Sequence, residues 1–318
     1  MKDDTEKPLV SVIVPCFNAE PWVAAAMDSA LAQTWPEIEI IAVDDGSTDR
    51  SLSVLGRYAG PRVRVLDQAN RGAAAARNAG LAAASGDFIQ FLDADDLLEP
   101  TKIANQVGLL IASGPGAVGI SRWARFRNDP SDAVASESAL FCDLSPVDFL
   151  LLHTARGEMM HPAAWLVPRS VAEKAGPWDE SLSLNDDGEY FARIALASRK
   201  IVFSPGSLSL YRSGLAGSLS GRRDRKSLIS LLKSCELIAD HLTAAEDSPR
   251  VRQALADYFQ RLVYETYPDA PNLSKEAETR VRGLGGSQLK PLMGRRQAML
   301  ARFVGWKLVR RAARLLGR

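Results

Sequence analysis

The sequence predicts an α/β fold in which a mostly parallel central sheet is flanked by helices and followed by a helical C-terminal extension. Three observations support this prediction. Short apolar runs alternate with helix-like segments over the first third of the chain. Two of these runs end abruptly in clusters of carboxylates, at the place where open α/β sheets collect their ligands. After about residue 220 the chain has the pattern of long helices.

Four apolar runs predict buried strands, at Leu9–Val14, Glu39–Val43, Arg62–Leu66 and Gly86–Leu92. Continuous apolar runs of this length are typical of strands that are buried on both faces. Helices are predicted between and after them, at about Pro21–Gln33, from near Asp49, from after Gly72 to Ala84, and at about Leu98–Leu110. This alternation predicts right-handed βαβ units, whose parallel strands end at one edge of the sheet.

Length and composition are those of an ordinary globular protein. The chain has 318 residues, of which 46% are hydrophobic and 24% charged, and this length allows one large domain or two. Its three cysteines lie far apart and suggest neither a disulfide framework nor a zinc site, so a reducing cytoplasm fits best. We expect no signal peptide at the charged N-terminus, and no transmembrane helix, since no apolar run reaches the ~18 residues that a span requires.

Two strand ends carry acids: Asp44 and Asp45 after the second strand, and a second cluster at Asp93, Asp95 and Asp96 after the fourth. Carboxylates this close repel one another unless a cation or hydrogen-bond donors compensate them. A divalent metal that carries phosphate oxygens would do so; the alternative is a solvated acidic turn that caps the next helix. A dinucleotide-binding site is not indicated, because the PCFNAE segment after the first strand lacks the G-x-G-x-x-G pattern.

Five motifs in register over residues 9–213 resemble those of family 2 glycosyltransferases. They are VSVIVPCFNAE, VDDGSTD, ANRGAAAARNAG, GDFIQFLDADD and GPWDESLSLNDDGEYFARI. The resemblance implies an inverting enzyme with a nucleotide-sugar-binding GT-A fold, which is Rossmann-like. It implies a GT-A domain at 1–220, with a nucleotide-sugar half at about 1–115 and an acceptor half at about 116–220. The helical extension then covers 221–318 and ends in a basic amphipathic helix.

On the donor side, the resemblance implies that Pro15, Phe17 and Asn18 lie near the base or ribose of the nucleotide. The alternatives are that Pro15 terminates the first strand and that Phe17 belongs to the core. Asp45 resembles the family residue that accepts a hydrogen bond from the uracil ring, although it could instead stabilise the turn.

Diphosphate contacts are implied for the helix that follows Gly72. Arg77 is the first candidate, because a cation there could neutralise the diphosphate, and Arg71 is the second. The alternative for either is an ordinary position on the surface of the helix.

The family's D-x-D motif corresponds to Asp93, Ala94 and Asp95. The resemblance implies that Asp95 binds Mg²⁺ or Mn²⁺ directly and that Asp93 contacts the ribose or a metal-bound water, with Ala94 also in the donor site. Metals of this kind suit all-oxygen ligands. We expect Asp96 to cap the following helix.

On the acceptor side, the E/D-D-x-x-[FY] signature implies that Asp187 is the base that deprotonates the acceptor hydroxyl, with Asp186 beside it. Both acids would also be favourable at a helix N-terminus. Trp178 is expected to stack on an acceptor sugar or, alternatively, to lie in the core, and Glu189 to face solvent. Many family members carry a histidine after a Tyr-Arg pair, but Tyr211-Arg212 is followed by none. Either Arg212 and the serine-rich loop at 213–220 cover the diphosphate, or this loop orders only when the donor binds.

The C-terminal part is predicted to contain helices at Arg225–Ala245 and about Pro249–Thr266, then a linker at Tyr267–Lys290 that is rich in Pro, Gly and Ser. From Lys290 to Arg318 there are nine basic residues and no acidic ones, which leaves 30 basic against 38 acidic residues in 1–289. The final segment, Arg295–Arg318, is basic, and from Trp306 onward its pattern predicts an amphipathic helix. Its basic arc contains Lys307, Arg310, Arg311, Arg314 and Arg318, and its apolar arc contains Trp306, Leu308, Val309, Ala312, Leu315 and Leu316.

This segregation is typical of a helix that lies on an anionic membrane surface. The alternative is a helix that packs on the acidic body of the protein. No nucleic-acid partner is expected, because no binding module surrounds the basic segment.

The sequence therefore predicts a glycosyltransferase that moves a sugar from a nucleoside diphosphate donor, with UDP favoured, to a hydroxyl of a glycan or lipid-linked acceptor. Bacterial envelope or exopolysaccharide synthesis, in the cytoplasm or peripherally on the inner face of the cytoplasmic membrane, is the expected setting. One alternative is a non-catalytic relative that binds nucleotide or glycan as a scaffold. A nucleotidyltransferase is disfavoured, because it would need a glycine-rich, basic loop after the first strand.

Overall fold

The computed structural model describes residues 7–215, 221 and 223–315. Three parts of the sequence predictions lie outside these ranges. They are the charged N-terminal residues 1–6, most of the serine-rich loop (216–220), and the last positions of the basic tail (316–318), which include Leu316 and Arg318.

The first half of the sheet is parallel, as predicted. Its strands are β1 (Val10–Cys16), β2 (Ile38–Asp44), β3 (Val63–Asp67) and β4 (Phe88–Phe91), in the order β3-β2-β1-β4. The connecting helices are α1 (Val23–Leu31), α2 (Ser51–Gly56) and α3 (Ala73–Ala83). Helix α3 packs closely on β1, because Gly80 has no Cβ and any Cβ there would overlap the side chain of Ile13. This close packing holds the start of α3 at the edge where the strands end.

The second half of the sheet is mixed. It contains β5 (Leu97–Leu98), β6 (Ala117–Phe126), β7 (Val134–Ala135), β8 (Trp165–Pro168) and β9 (Lys200–Arg212). Strand β8 joins the halves, because it runs antiparallel to both β4 and β6, while β6 and β9 are parallel. The helices of this half are α4 (Lys102–Ser113), α5 (Pro146–Arg156), α6 (Arg169–Ala175) and α7 (Asp186–Ala197). The architecture is thus a mixed α/β fold with a central sheet flanked by helices.

The C-terminal region is helical, as predicted. Its helices are α8 (Arg225–Ala245), α9 (Pro249–Thr266), α10 (Pro271–Gly283), α11 (Arg295–Val304) and α12 (Trp306–Leu315). Among the described residues, no helix combines the length and the apolar character that crossing a bilayer requires.

One detail of this region was predicted wrongly. The expected linker at 267–290 contains α10, which begins with Pro271 in its first turn, where proline is favourable, and which buries Ala277 and Val281. The basic tail contains two helices, α11 and α12, and α12 begins at Trp306, where the amphipathic pattern was found. They are separated by Gly305, whose φ of +81° is a left-handed conformation that interrupts a helix.

The core is continuous between the sheet and the helical extension. One cluster of buried side chains contains Phe91 of β4 and Phe191 of α7 together with Ile238 of α8 and Phe259 of α9. The extension therefore covers apolar surface of the α/β part. A domain boundary at residue 220 stays a prediction.

Candidate active site

Acids from two parts of the chain converge on an arginine from a third, where the parallel strands end. Asp93 follows β4, while Asp186 and Asp187 open helix α7. Arg77 of α3 joins the two groups, because its Nη2 donates to Asp93 at 2.8 Å and its Nη1 donates to Asp186 at 2.9 Å. Asp93, from the predicted donor side, and Asp186, from the predicted acceptor side, are therefore held by the same guanidinium.

Arg77 is not available to a diphosphate, so the prediction for this residue was wrong. The side chain is buried, and both of its terminal nitrogens are engaged by carboxylates. Its guanidinium also lies 4.4 Å from the ring centroid of Trp178. Because the two carboxylates stabilise the charged guanidinium, the pKa of Arg77 is raised despite burial. Arg77 acts as a positioning residue that fixes α3 against the start of α7.

Trp178 lies in the core rather than on the acceptor side, so the stacking prediction was also wrong. The residue is 2% exposed. One face of its ring stacks on Tyr190 at a centroid distance of 4.0 Å, the guanidinium of Arg77 lies over the ring, and Phe91 meets it edge-on at 5.1 Å. No ring face is left for a sugar.

Asp186 and Asp187 are both buried enough to have shifted acidities. Burial raises the pKa of Asp186 to about 6, while the positive charge of Arg77 opposes the rise. Burial also raises the pKa of Asp187, and the positive charge of Arg77 again limits the rise. Oδ1 of Asp187 accepts a hydrogen bond from the Gly188 amide at 2.8 Å. Because Asp186 is committed to Arg77, Asp187 is the better placed of the two to receive a proton from a ligand.

The D-x-D turn contains two acids of different character. Asp93 is paired with Arg77, whereas burial and the neighbouring charges of Asp96 and Asp93 raise the pKa of Asp95 to about 7. Such a carboxylate lacks compensating positive charge, which a divalent cation would supply. Ala94 is buried, and its side chain has no polar atom with which to bind a nucleotide sugar.

The protein ligands for such a cation are few. In the parts of the chain that the structure describes, no group of three or more His, Cys, Asp or Glu side chains is arranged to hold a metal. Asp95 and Asp93 nevertheless supply oxygen donors, which fit Mg²⁺ or Mn²⁺ bound by one or two carboxylates together with substrate phosphates.

Asp96 does not cap a helix, because α4 begins only at Lys102 and Asp96 is 1% exposed. Its Oδ1 accepts from the Arg212 amide at 2.8 Å, and its Oδ2 lies 3.1 Å from Nδ1 of His161. Nε2 of His161 contacts Oγ of Ser209 at 2.8 Å. This buried series of contacts ties the D-x-D turn to β9, and no sequence motif indicated it.

Arg212 also braces the D-x-D turn and does not reach into the cleft. Its Nε donates to the carbonyl of Asp95 at 2.9 Å, and its Nη1 donates to the carbonyls of Arg127 and Asn128. Its suggested role in covering a diphosphate is therefore not supported.

At the nucleotide end, Phe17 and Asn18 lie on the surface of the loop that follows β1. Phe17 is 48% exposed, which rules out the core alternative and leaves an aromatic face available. Asn18 has a φ of +48°, and its Oδ1 accepts from the Thr48 amide at 2.8 Å. This bond ties the loop after β1 to the loop after β2. Pro15 is a buried part of β1, paired with Val43, so it does not end the strand, and its contact with a nucleotide stays a prediction.

Asp45 stabilises the turn that leads into α3. Its Oδ1 accepts from Nε2 of Gln68 at 2.7 Å and from the Arg71 amide at 2.9 Å, and its Oδ2 accepts from the Gly72 amide at 2.8 Å. The turn-stabilising alternative is thus observed, and only Oδ2 has room for a further donor. Arg71, the second diphosphate candidate, pairs with Glu180 at 2.6 Å.

The turn before α7 is supported by helix α8 of the extension. Oγ of Ser230 accepts from the amides of Ser183 and Leu184 at 2.8 and 3.1 Å. Oγ of Ser234 accepts from Nδ2 of Asn185, which is held in a left-handed conformation with φ +61°. These serines are four residues apart and so lie on one face of α8. The turn that precedes Asp186 and Asp187 therefore rests on a helix that the motifs did not include.

Glu189 was expected to face solvent, but it is 2% exposed. It forms an ion pair with Arg193 at 2.7 Å and contacts Nε2 of His241 on α8 at 3.2 Å. It thus provides another link between α7 and the extension.

Beside Asp187 lies a small cavity of about 50 Å³ with mainly apolar walls. Its lining includes Phe149, Met160 and Phe191, with Asn185, Asp187 and Gly188 on the polar side. A larger cavity, of about 330 Å³, lies between α9, α10 and α12 and contains none of the cleft acids.

The family and the fold are both identified by similarity. The family model described as "Glycosyl transferase family 2" matches residues 11–175. An uncharacterized glycosyltransferase of Rickettsia typhi is 32% identical over 207 residues, which are 62% of each chain. Chondroitin synthase of Pasteurella multocida is 42% identical over 98 residues, 30% of this chain and 10% of that one. The chain thus spans about three fifths of the length of the Rickettsia relative.

Solved structures resemble this one at low sequence identity. Staphylococcus aureus TarS, residues 1–349, matches with a TM-score of 0.67 and 18% identity, over 87% of this chain and 80% of that one. A mannosyltransferase of Pyrobaculum calidifontis in complex with GDP-Man and Mn²⁺ matches with a TM-score of 0.55 and 20% identity, over 96% and 82%. At these identities the likeness establishes the fold alone, which is that of GT-A glycosyltransferases. Together with the family match over half of its length, this establishes that the chain belongs to glycosyl transferase family 2.

Proposed function

We propose that this protein is an inverting glycosyltransferase that uses a nucleoside diphosphate sugar, with a UDP-sugar favoured. The observation that carries the proposal is that one guanidinium, that of Arg77, holds both Asp93 of the D-x-D turn and Asp186 at the start of α7. This bridge brings the neighbouring Asp95 and Asp187 toward the same region of the protein. One side of this region offers oxygen ligands for a cation and the other a carboxylate of raised pKa. The family relatives and the structures bound to nucleotide sugars, TarS with UDP-GlcNAc among them, support this class of donor.

In the proposed reaction, Asp187 takes the proton of the acceptor hydroxyl as that oxygen bonds to C1 of the sugar. The bond from C1 to the diphosphate breaks at the same time, and the diphosphate leaves with the bonding electrons. A base on the opposite side of C1 from the leaving group gives inversion. Asp95, with Asp93 near the ribose or a metal-bound water, would hold Mg²⁺ or Mn²⁺, which would neutralise the charge of the leaving diphosphate.

The nucleotide is expected at the loops after β1 and β2. Phe17 is the exposed aromatic side chain there, suited to contact the base, and Asn18 holds the two loops together. Oδ2 of Asp45 is the acceptor that remains for a ring N–H. We propose a hydroxyl of a glycan or a lipid-linked sugar as the acceptor, in envelope or exopolysaccharide synthesis on the inner face of the cytoplasmic membrane.

The direct test is to incubate the full chain with a panel of nucleotide sugars, selected by thermal stabilisation, and a panel of glycan acceptors with Mn²⁺ or Mg²⁺. We expect transfer with inversion of the anomeric configuration, read by NMR, and loss of metal-dependent donor binding in Asp95→Ala. Glu173→Gln, an exposed acid on α6, is the matched control. Retention of configuration would contradict the mechanism. Binding without turnover on any acceptor would favour the scaffold alternative.

A further inference from the structure

Helix α11 presents an apolar face that no part of the described structure covers. None of its residues is buried. Four large apolar side chains, Met299, Leu300, Phe303 and Val304, are 61%, 53%, 83% and 51% exposed. We call these four the outer face of α11. Single exposed apolar residues are ordinary, but a contiguous group on one helix indicates an interaction site.

The helical spacing places these four side chains on one side of α11. At ~100° per residue they fall within an arc of about 140°. Gln297 and Ala301 lie outside this arc and are half-buried, so they mark the side that faces the protein. Arg295 and Arg302 follow the edge of the apolar arc, and Arg296 projects near its N-terminal end.

The segment of chain that carries the outer face has basic residues and no acidic ones. From Lys290 to the end of the chain there are nine basic residues and no acidic ones, whereas acids outnumber bases in the rest. An apolar strip bordered by arginines complements an anionic lipid surface, where the strip enters the interface and the arginines stay at the headgroups.

Residues of the basic arc that was predicted to face a membrane contact the body of the protein instead. Lys307 pairs with Glu278 at 2.5 Å and Arg314 pairs with Asp269 at 2.9 Å. Arg310 donates to the carbonyl of Tyr264, and Trp306 packs edge-on against Tyr264 at 4.9 Å. Helix α12 therefore packs on the body of the protein through these basic residues. It holds α11 at the surface.

We propose that the outer face of α11 docks on a bilayer surface that contains anionic lipid. The helix is a convex ridge of flexible and aromatic side chains, and it is too short to span the membrane. Docking would be peripheral and dependent on salt, because part of the attraction is between exposed charges. It does not depend on which reaction the cleft performs.

The test is vesicle flotation of the full chain. We expect binding to vesicles of phosphatidylcholine with phosphatidylglycerol, and at least tenfold weaker binding to phosphatidylcholine alone or in high salt. The double variant Leu300→Ser/Phe303→Ser and the triple variant Arg295→Gln/Arg296→Gln/Arg302→Gln should each bind anionic vesicles at least tenfold less. The matched control is Ile111→Ser/Val134→Ser, which changes two side chains that are 59% and 69% exposed on other elements.

Two outcomes would overturn the proposal. One is undiminished vesicle binding by a correctly folded Leu300→Ser/Phe303→Ser variant, with folding checked by circular dichroism. The other is self-association of the wild-type chain that this variant abolishes, because the occupant would then be a second copy. The same protein preparations are also assayed, without vesicles, for hydrolysis of the donor by measuring released UDP. A variant that loses vesicle binding but still releases UDP has lost docking and not the proposed reaction.

Discussion

Nη1 of Arg77 donates to Oδ2 of Asp186 at 2.9 Å, and this bond joins the helix beside the donor strands to the helix that carries the proposed base. The same guanidinium holds Asp93 of the D-x-D turn. Arg77 thus connects both acid clusters. Its removal should affect stability and the acidity of the cleft together.

The first prediction concerns stability. Arg77→Met leaves the partly buried Asp93 and Asp186 without their cation, so we expect the free energy of unfolding to fall by about 3–5 kcal/mol, as for other broken buried pairs. Urea denaturation of the wild type and variant measures this difference. Arg64→Met, which removes one exposed donor to the Ala83 carbonyl, should cost less than about 1 kcal/mol. Equal effects of the two variants would contradict the bridging role.

The second prediction concerns pH. Asp187 must be deprotonated to act as a base, so the rate falls as pH falls through its pKa. Burial raises that pKa above the ordinary value for aspartate, and the acid limb of kcat should therefore lie above about pH 3.9. Arg77 opposes the rise, so in Arg77→Met the limb should move to still higher pH. A limb that moves to lower pH or stays in place would show that another group is titrating.

The third prediction concerns the support that α8 gives to the base-bearing turn. Ser234→Ala removes the nearer of two acceptors of the Asn185 side chain and leaves Oη of Tyr258 at 3.4 Å, so the left-handed backbone of Asn185 loses a constraint. Small displacements of a catalytic group cost up to about 10²-fold in rate. We therefore expect kcat to fall roughly tenfold while the dissociation constant for UDP stays unchanged.

The matched control is Ile229→Ala on the same helix, where the side chain is 48% exposed. It should leave kcat unchanged. If Ser234→Ala weakened UDP binding and kcat equally, the effect would be a general loss of structure instead of a positional one.

The fourth prediction concerns the shared core. Phe259 of α9 is 2% exposed and belongs to the same cluster as Phe91 of the sheet. Phe259→Ala should lower the free energy of unfolding by about 3–5 kcal/mol, and both wild type and variant should unfold in one cooperative transition. Two separate transitions in calorimetry would show that residues 221–318 fold independently, as the predicted domain boundary would allow.

The parts of the fold that could be predicted are those with a strong local pattern. The strands at Val10–Cys16 and Ile38–Asp44 consist mostly of β-branched and other apolar residues, and the amphipathic helices Arg225–Ala245 and Pro249–Thr266 were predicted with their observed bounds. Strand β6 was missed because its sequence, AVGISRWARF, mixes charged and apolar residues without alternation. Its partners are set by pairing with β8 and β9, which is a tertiary effect.

The errors at the candidate site share one cause. Motif spacing indicated which residues gather at the strand ends, but not which of them satisfy each other. Arg77 and Trp178 are suited to phosphate and sugar by residue type. In the structure, Arg77 pairs with Asp186, more than a hundred residues away, and Trp178 stacks on Tyr190, twelve residues away. These pairings are set by the fold and are not visible in the motifs.

The support that Ser230 and Ser234 of α8 give to the turn before α7 could not be predicted from the sequence, for the same reason. Ser230 and Ser234 have the pattern of ordinary polar positions on an amphipathic helix. Only their contacts with residues 183–185 connect them to the chemistry.

The most direct test of the central claim is the turnover of Asp187→Asn with the donor that binds. Because asparagine preserves the size of the side chain but cannot accept the proton, we predict that kcat falls by about 10²–10⁴-fold while UDP affinity and the melting temperature stay at their wild-type values. Wild-type turnover by this variant would contradict the assignment of Asp187 as the base.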